Sequence, residues 1–352
     1  MNIEHEKIVV TGAAGWLGLG LINALLNGID SLPTLKHPTK LRVLVCPDDD
    51  VSLLEQYERT NRLEILKGDV RSKADCAKLM ANMNGALLYH TAGIIHPKKV
   101  KDLFEVNVEG TRNILASAEI EGLKRAVIVS SNSPIGCNPT NDHLFDENSP
   151  YNPYMNYGKS KMMMEEVVKG FQRRGNLETV TIRAPWFYGP FQPLRQSLFF
   201  QMVRDGKAPI VGNGNNMRSM VYIDNLVQGL VLAGNTLEAN GKTYWIADKY
   251  PYSMNKIIDT IENVLEQDFH IICKHGRMKL PSIFSDIAYY VDKSIQSFGF
   301  YHQKFHVLSE MNKTIACSVE LAEKELGYKP SIELQEGMKR SIKWCIQSGV
   351  DI

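Results

Sequence analysis

Short apolar runs, bounded by glycine, proline or acidic residues, recur through the first half of the chain. Their length and composition predict buried strands over residues 7–11, 41–46, 63–67, 86–90, 125–129 and 180–183. Stretches with helical spacing of apolar residues lie between them, at 19–26, at 100–121 and around residue 157. Strands that alternate with helices in this way predict a parallel, doubly wound α/β sheet of the Rossmann type.

The pattern changes after Pro185. A helix over 195–205 and a polar, glycine-rich loop precede a strand over 242–246 that would return to the sheet. Helices dominate the remaining chain, over 253–265, 281–298, 318–326 and 334–346. We predict two domains: a dinucleotide-binding domain at 1–185 with a return at 220–248, and a smaller, mostly helical substrate domain made of 186–219 and 249–352.

The composition is that of an ordinary globular protein, since 44% of the 352 residues are apolar and 22% are charged. The formal net charge of +1 provides no field that would draw the chain to nucleic acid or to a membrane. The six cysteines lie apart without a CxxC pair, which argues against a disulfide framework or a zinc site. The polar start, Met1 to Lys7, and the lack of a long apolar run predict no signal peptide and no membrane span. We therefore expect a cytoplasmic protein without a metal.

Gly12, Gly15 and Gly18 join the first predicted strand to the first predicted helix. Gly12 permits a tight turn, Gly15 lets backbone approach a ligand closely, and Gly18 lets the helix pack on the strand. The positive end of the helix dipole would then face a pyrophosphate. The spacing is GxxGxxG instead of GxGxxG, and the alternative is a glycine turn without a ligand. The strand and helix around it favour dinucleotide binding.

Two strand ends bear on the choice of dinucleotide. Cys46 ends the second predicted strand, where an acid would select NAD and an arginine NADP, and three aspartates follow within four residues. These acids would repel a 2′-phosphate, which favours NAD, although they are equally typical of a solvated loop. Asp69 follows the third strand, where it would accept a hydrogen bond from the adenine amino group or cap the helix that begins near Arg71.

The fourth predicted strand ends in small residues. Thr91, Ala92 and Gly93 would let backbone pass close to a cofactor, while His90 suits packing as well as catalysis. Gly110 lies inside the helix predicted at 100–121, where a glycine costs about 1 kcal/mol relative to alanine. We therefore expect close packing at Gly110.

Tyr157 and Lys161 lie four residues apart and so share one face of a predicted helix. An ammonium beside a phenol favours phenolate and would lower the tyrosine pKa from about 10. Such a phenol can both donate and accept a proton in catalysis. The pair alone is also common on solvated helix faces, but here Ser130 and Ser131 precede it and a nucleotide-binding turn opens the chain.

Arg218 follows the glycine-rich loop and precedes a predicted strand and helix. Its planar guanidinium suits a two-point grip on phosphate. A surface arginine paired with an acid such as Asp224 is an equal alternative.

Together these motifs resemble the extended short-chain dehydrogenase/reductase superfamily of NAD(P)-dependent epimerases, dehydratases and reductases. The likeness runs nearly the full chain, through residues 11–18, 68–69, 90–93, 107–111, 130–131, 157–161, 183–190 and 326–330. It implies that Tyr157 is the acid/base and that Ser131 hydrogen-bonds the reacting oxygen. Lys161 would bind the nicotinamide ribose and lower the tyrosine pKa.

The resemblance implies further site residues. Those that bind the cofactor would be Gly12, Ala14, Gly15, Trp16, Leu17, Gly18, Cys46, Asp69, Val70, Thr91, Ala92, Gly93, Asn107, Val129, Tyr157, Lys161 and Pro185. Those that bind the substrate would be Ser131, Asn132, Ser133, Trp186 and Arg218. Relatives usually carry an acid or an arginine where this chain has Cys46, so the choice between NAD and NADP stays open.

The resemblance also limits the substrate. Sugar-nucleotide 4,6-dehydratases carry an Asp-Glu pair where this chain has Asn132 and Ser133, so we do not expect dehydration. The segment at 218–227 resembles the diphosphate grip of nucleotide-sugar epimerases and reductases, and we expect Tyr-Lys-assisted hydride transfer on a nucleotide-linked sugar. The stretch at 280–344 resembles 3β-hydroxysteroid dehydrogenase-like members, so a lipophilic alcohol is the second hypothesis for the substrate. A non-catalytic NAD(P)-binding protein is the third.

Relatives often dimerise through the helix of Tyr157, so we expect a homodimer.

Overall fold

The computed structural model describes residues 5–33, 35 and 37–352. Residues 1–4 of the polar start, together with Thr34 and Lys36 between the first helix and the second strand, lie outside the described residues. Within the described part of the chain, no helix is both long and apolar enough to cross a bilayer.

The described residues form thirteen strands and thirteen α-helices. The strands are β1 (Lys7–Thr11), β2 (Lys40–Val45), β3 (Glu64–Lys67), β4 (Leu87–His90), β5 (Arg125–Ser131), β6 (Glu178–Ala184), β7 (Trp186–Tyr188), β8 (Pro209–Val211), β9 (Met217–Arg218), β10 (Met220–Tyr222), β11 (Thr243–Trp245), β12 (Tyr252–Ser253) and β13 (Met278–Leu280). The helices are α1 (Trp16–Asn27), α2 (Ser52–Arg59), α3 (Lys73–Met80), α4 (Val100–Phe104), α5 (Thr111–Glu121), α6 (Met155–Arg174), α7 (Leu194–Arg204), α8 (Ile223–Asn235), α9 (Met254–Phe269), α10 (Ile283–Ser297), α11 (Gln303–Glu310), α12 (Glu320–Leu326) and α13 (Leu334–Gln347).

The central sheet has the order β11-β6-β5-β4-β1-β2-β3, and all seven strands are parallel. The direction of winding reverses between β1 and β4, the point at which such sheets bind dinucleotides. The predicted doubly wound sheet is therefore confirmed. The strand predicted at 242–246 is β11, which pairs with β6 at the edge of the sheet. The division into two domains stays a prediction.

Alternate residues of β1 face opposite sides of the sheet. Val9 belongs to one core, to which helices α3, α5 and α6 contribute, whereas Ile8 and Val10 belong to a second core with α1 and α8. Because both faces are covered, the strand residues are apolar on both sides. This is why the strands read as continuous apolar runs in the sequence.

The helix predicted over 100–121 is divided into α4, a π-helical segment at Glu105–Gly110, and α5. Asn107 lies in the π-helical segment, where its amide accepts from the Ile94 N–H at 2.9 Å and donates to the Ile94 carbonyl at 3.0 Å. Gly110 is closely packed, as predicted, because a Cβ there would lie 2.6 Å from Cγ2 of Val70. π-Helical turns of this kind are frequent at functional sites.

The chain beyond Pro185 contains three two-stranded sheets, β7 with β10, β8 with β13, and β9 with β12. The strand predicted after Arg218 is β10. The other five strands of these small sheets were not predicted, because strands of two or three residues carry little periodicity. Helix α11 was also not predicted, and α1 begins at Trp16 instead of residue 19 because Gly15 is its N-cap.

Candidate active site

The glycine turn between β1 and α1 is packed so closely that side chains would not fit. Gly12 has φ +70°, and a Cβ on it would lie 2.7 Å from Cα of Ala92. A Cβ on Gly18 would lie 2.7 Å from Cα of Ala13. The first turn of α1 carries neither a side-chain cap nor an acidic residue, so its N–H groups remain available to an anion. These features fit a dinucleotide pyrophosphate.

The neighbouring side chains mostly turn away from the glycine turn. Leu17 is buried in the core with 6% of its surface exposed, so only its backbone could contact a ligand. The Trp16 indole donates to the Pro190 carbonyl at 2.7 Å, and its ring centroid lies 4.6 Å from that of Phe187. Ala14 is half-buried and Gly15 is exposed. The residues predicted around this turn would therefore act mainly through their backbone.

A chain of hydrogen bonds, here called the strand-end network, joins the ends of β1 and β4 to α5. The Ala92 N–H donates to Oγ1 of Thr11 at 3.3 Å, and that hydroxyl lies 2.7 Å from Nδ1 of His90. Nε2 of His90 lies 2.9 Å from the Thr111 hydroxyl, which donates to the Asn107 carbonyl at 2.7 Å. Since that hydroxyl already donates, His90 must donate from Nε2 and accept at Nδ1.

Burial lowers the pKa of His90 to about 3, which agrees with this neutral tautomer. His90 is 1% exposed and both of its nitrogens are engaged. Of the two roles considered from the sequence, the contacts favour packing. The network fixes the backbone at Thr91 and Ala92, which faces the glycine turn.

Lys161 lies beside the end of β4. Its ammonium donates to the Val129 carbonyl at 2.9 Å and lies 3.4 Å from Sδ of Met164. A Cβ on Gly93 would lie 3.5 Å from Nζ of Lys161 and 3.3 Å from Oδ1 of Asn107. Four of the predicted cofactor-binding residues, Gly93, Asn107, Val129 and Lys161, thus meet at one place.

Ser131 and Tyr157 meet where β5 ends and α6 begins. The Ser131 hydroxyl lies 3.3 Å from Oδ1 of Asn132 and accepts from the Ser133 N–H at 3.3 Å. A Cβ on Gly158 would lie 2.5 Å from the Ser133 carbonyl oxygen, so a glycine after the tyrosine lets the helix approach this turn. The side chain of Tyr157 is buried beside this turn, and the Ser131 hydroxyl lowers the pKa of its phenol in part.

The predicted lowering of the Tyr157 pKa is nevertheless wrong for this structure. Burial raises the pKa to about 12. The Ser131 hydroxyl lowers it by a smaller amount, and the negative charge of Glu310 contributes the smallest effect, a further rise. The ammonium of Lys161 is bound to the Val129 carbonyl, and burial lowers its own pKa to about 8. Helical spacing placed both residues on one face but carried no information about their burial.

A buried ion pair near Lys161 was not predicted from the sequence. Arg183 donates to the two carboxylate oxygens of Glu165 at 3.1 and 2.8 Å, and both side chains are less than 5% exposed. Ser130 and Tyr151 also donate to this carboxylate, at 2.6 and 2.7 Å. Glu165 favours the charged form of Lys161, one helical turn away. That four-residue spacing was the available signal.

Cys46 and Asp69 lie near each other at the ends of β2 and β3, at the predicted adenosine end. Burial and the carboxylates of Asp49 and Asp69 raise the pKa of Cys46. Arg71 grips the Asp69 carboxylate through Nε at 2.9 Å and Nη2 at 2.6 Å, which lowers the pKa of Asp69. Helix α3 is capped instead by Ser72, so the capping role considered for Asp69 is wrong. Asp69 stays partly exposed beside the cleft.

The predicted substrate residues from later in the chain are spread over two places. Trp186 follows the buried Pro185 and packs against Phe199, with ring centroids 5.9 Å apart. Arg218 donates to the main-chain carbonyl of Glu310 at 2.5 Å, so the suggested pairing with Asp224 is wrong. Nε of Arg218 is buried without a hydrogen-bond partner among the described residues.

Comparison with known proteins agrees with this geometry. Residues 9–273 match the 3-beta hydroxysteroid dehydrogenase/isomerase family. The chain is 47% identical over 99% of its length to an uncharacterized protein, y4nL, of Sinorhizobium fredii, covering 98% of that protein. It is 27% identical over 96% of its length to 3beta-hydroxysteroid-dehydrogenase/decarboxylase isoform 1 of Arabidopsis thaliana, covering 80% of that enzyme.

A solved structure supports the fold. UDP-glucuronic acid 4-epimerase from Bacillus cereus, in complex with UDP-glucuronic acid and NAD, superposes with a TM-score of 0.75 at 21% identity. The superposition covers 97% of this chain and 99% of that one. Together with the family match over residues 9–273, this agreement in fold confirms the resemblance to the extended short-chain dehydrogenase/reductases.

Proposed function

Because the chain belongs to the 3-beta hydroxysteroid dehydrogenase/isomerase family, we propose that it is an NAD(P)-dependent oxidoreductase that interconverts a secondary alcohol and a ketone. The observation that carries this proposal is the close packing of α6, at Gly158 beside Tyr157, on the turn that follows Ser131 at the end of β5, with Lys161 one helical turn further on. The close-packed turn at Gly12 and Gly18 supports cofactor binding.

Bound NAD(P) would accept or supply the hydride. In the oxidation, the phenolate form of Tyr157 takes the proton of the substrate hydroxyl and becomes the neutral phenol, and Ser131 hydrogen-bonds the same oxygen. Lys161, whose ammonium lies beside Gly93 next to Asn107, would hold the nicotinamide ribose. The glycine turn would hold the pyrophosphate through its backbone, and Asp69 with Val70 would hold the adenine.

The choice of substrate depends on Arg218. Its guanidinium is already bound to the Glu310 carbonyl, which favours a lipophilic secondary alcohol as the substrate. Relatives such as the Arabidopsis thaliana enzyme, whose name refers to 3β-hydroxysteroids, point the same way. A nucleotide-linked sugar is the second candidate, because the hydrogen bond from Nη2 to the Glu310 carbonyl uses only one of the five N–H groups of the Arg218 guanidinium.

The reaction class is tested with a panel of 3β-hydroxysteroids and UDP- and GDP-sugars, by following formation of the reduced cofactor. We expect Tyr157→Phe to lower kcat by about 10²–10⁴-fold on whichever substrate is oxidised. Tyr290→Phe, a matched change at an exposed position on α10, should leave kcat unchanged. A Tyr157→Phe protein as active as the wild type would refute the acid/base assignment. Cofactor binding without turnover of any substrate would favour a binding protein.

Arg218→Ala separates the two substrate classes. If a diphosphate is bound, KM should rise by about 10–100-fold, because charge-assisted hydrogen bonds contribute about 1.5–3 kcal/mol. An unchanged KM supports the lipophilic alcohol. Arg218→Lys retains the charge without the planar fork, and it should recover only part of a diphosphate interaction.

A further inference from the structure

Helix α10 is amphipathic in the reverse sense to most surface helices. Its buried residues are small or polar, namely Ser285, Ala288, Asp292 and Gln296. Its apolar side chains face solvent instead, since Ile283 and Ile287 have 59% and 52% of their surface exposed and Phe284 is exposed beside them. A helix of a globular protein ordinarily turns its apolar stripe to the core. The stripe of α10 is therefore left uncovered in the described part of the chain.

The exposed apolar side chains continue past the end of α10. Phe298 caps the helix three turns after Ile287, so it extends the same stripe, and it is 80% exposed. Phe300, two residues further on, is 60% exposed. We call this set the apolar face, formed by Ile283, Phe284, Ile287, Phe298 and Phe300. Contiguous apolar surface on a globular protein commonly marks the place where a partner binds.

Lysines border the apolar face. Lys99 pairs with Phe300 in an isolated antiparallel bridge, which places an exposed lysine beside one end of the face. Lys279 on β13 is exposed and comes four residues before Ile283, at the other end. Lys293 is exposed on the flank of α10, between the stripe and the buried side of the helix. Positive charge therefore surrounds the apolar surface.

The acidic residues of α10 do not balance these lysines. Asp292 is fully buried against His306, and the exposed Asp286 is paired with Lys313 at 3.3 Å. The net charge of +1 for the whole chain does not reveal this local excess of positive charge. An apolar surface with a basic border is complementary to an anionic phospholipid layer, in which negative headgroups cover an apolar interior.

A second copy of this chain fits the apolar face less well. In a two-fold symmetric contact the same patch meets itself, so the bordering lysines of one copy would approach those of the other. Like charges brought together in a partly desolvated contact repel each other. Anionic headgroups would instead attract the same lysines.

We propose that the apolar face docks this protein on the surface of an anionic phospholipid bilayer, with the lysines at the headgroups and the apolar side chains below them. Helix α10 has 15 residues and its other side packs on the protein, so it would lie in the plane of the interface without crossing the bilayer. Such docking goes beyond the proposed reaction and does not depend on which alcohol is oxidised.

The packed side of α10 leads to the candidate active site. Oε1 of Gln296 accepts a hydrogen bond from the Asn156 side chain at 2.9 Å, directly before Tyr157 on α6. Docking through the opposite side of α10 would therefore hold the start of α6 close to the lipid surface.

The test is flotation of the full chain with vesicles of phosphatidylcholine that contain about 30% phosphatidylglycerol, compared with vesicles of phosphatidylcholine alone. We expect binding to the anionic vesicles, and we expect it to weaken as ionic strength rises from about 20 to about 500 mM, because salt screens the lysines. Ile287→Glu should lower the partition coefficient at least about tenfold, since a charged side chain cannot replace buried apolar surface. Lys293→Glu should lower it at least about fivefold.

Two matched controls carry the same changes of residue type away from the apolar face. Ile120→Glu lies on α5 at a position that is 87% exposed, and Lys78→Glu lies at an exposed position on α3. Both should bind the anionic vesicles as the wild type does. Circular dichroism checks that each variant is folded, and Lys293→Glu alone decides the test if Ile287→Glu does not fold.

The proposal is wrong if the wild type does not float with the anionic vesicles, or floats equally with the neutral ones. It is also wrong if the folded variants of the apolar face bind like the two controls. Light scattering examines the other occupant: a dimer that Ile287→Glu converts to a monomer, with vesicle binding unchanged, would identify the face as a contact between two copies. Because no turnover is measured, these results are independent of the Tyr157→Phe assay.

Discussion

His90 and His306 are both buried, and in each of them both ring nitrogens lie close to a polar partner. Their surroundings nevertheless favour opposite charge states. In the strand-end network, hydroxyl groups surround His90, and burial drives its pKa down to about 3. Between α10 and α11, by contrast, Asp292 and Glu310 lie 2.9 and 3.7 Å from the two ring nitrogens of His306 and raise its pKa. Burial alone therefore does not decide charge; the partners do. The contacts around His90 are neutral, whereas those around His306 are ionic.

Among the tests of this difference, we expect the largest effect from Asp292→Asn. Asp292 is fully buried and accepts from His306 and Gln296, so the change leaves the imidazolium without its closest counter-charge. Breaking a buried pair in this way costs about 3 kcal/mol of unfolding free energy. Urea denaturation measures it. Asp286→Asn on the same helix is the control, because that carboxylate is 58% exposed and should change stability by less than about 0.5 kcal/mol. Equal losses would mean that His306 is not charged.

The pH dependence of stability should have opposite signs at the two histidines. In the unfolded chain the histidine has a pKa of about 6.5, so below that pH it binds a proton that the buried His90 of the folded protein does not bind. The free energy of unfolding therefore falls by about 1.4 kcal/mol for each unit by which the pH is lowered. From pH 7 to 5 we expect His90→Asn to lose about 2 kcal/mol less than the wild type. His306 does the reverse: its stabilisation is complete below pH 6.5 and is lost as pH rises through its raised pKa.

His306→Gln should therefore lose less stability than the wild type between pH 6.5 and 9. Urea unfolding across the pH series measures both slopes. His270→Asn is the control, because this exposed histidine has φ +56°, a conformation that asparagine tolerates. Parallel slopes for the wild type and the His90 variant would show that His90 is not held neutral.

The smallest effect is expected within the neutral network. Thr111→Val keeps the shape of the side chain but removes the hydroxyl between His90 and the Asn107 carbonyl. Loss of one neutral, buried hydrogen-bonded group costs about 1–2 kcal/mol. Thermal unfolding should register it, with a cost clearly below that of Asp292→Asn. A cost as large as the ionic one would contradict the distinction between the two regions.

The cofactor side was largely predictable from the sequence because its contacts follow local rules. Gly12, Gly18, Ser131 and Lys161 lie in strand–turn–helix patterns that spacing reveals. The sign of the Tyr157 pKa shift was missed because spacing does not report burial. The sequence suggested the nearby Asp224 as a partner of Arg218, whereas in the folded chain Arg218 donates to the main-chain carbonyl of Glu310.

The substrate side offered no comparable signal. Asp292, His306 and Glu310 lie on α10 and α11, and the second of these helices was not predicted. The contacts of Tyr154 with His306 and Ser309 bridge some 150 positions of the chain and depend wholly on tertiary packing.

The position of β11 has a consequence for how the chain is made. Strand β6 lies inside the sheet only because β11 pairs with it at the edge. The ribosome synthesises β11 after α7 and α8, long after β6. Until the ribosome has released residue 245, the nascent sheet exposes an apolar strand with unpaired backbone groups, a template for aggregation. A fragment that stops at residue 185 would keep that edge open permanently, so the nucleotide half is not expected to survive as a separate product.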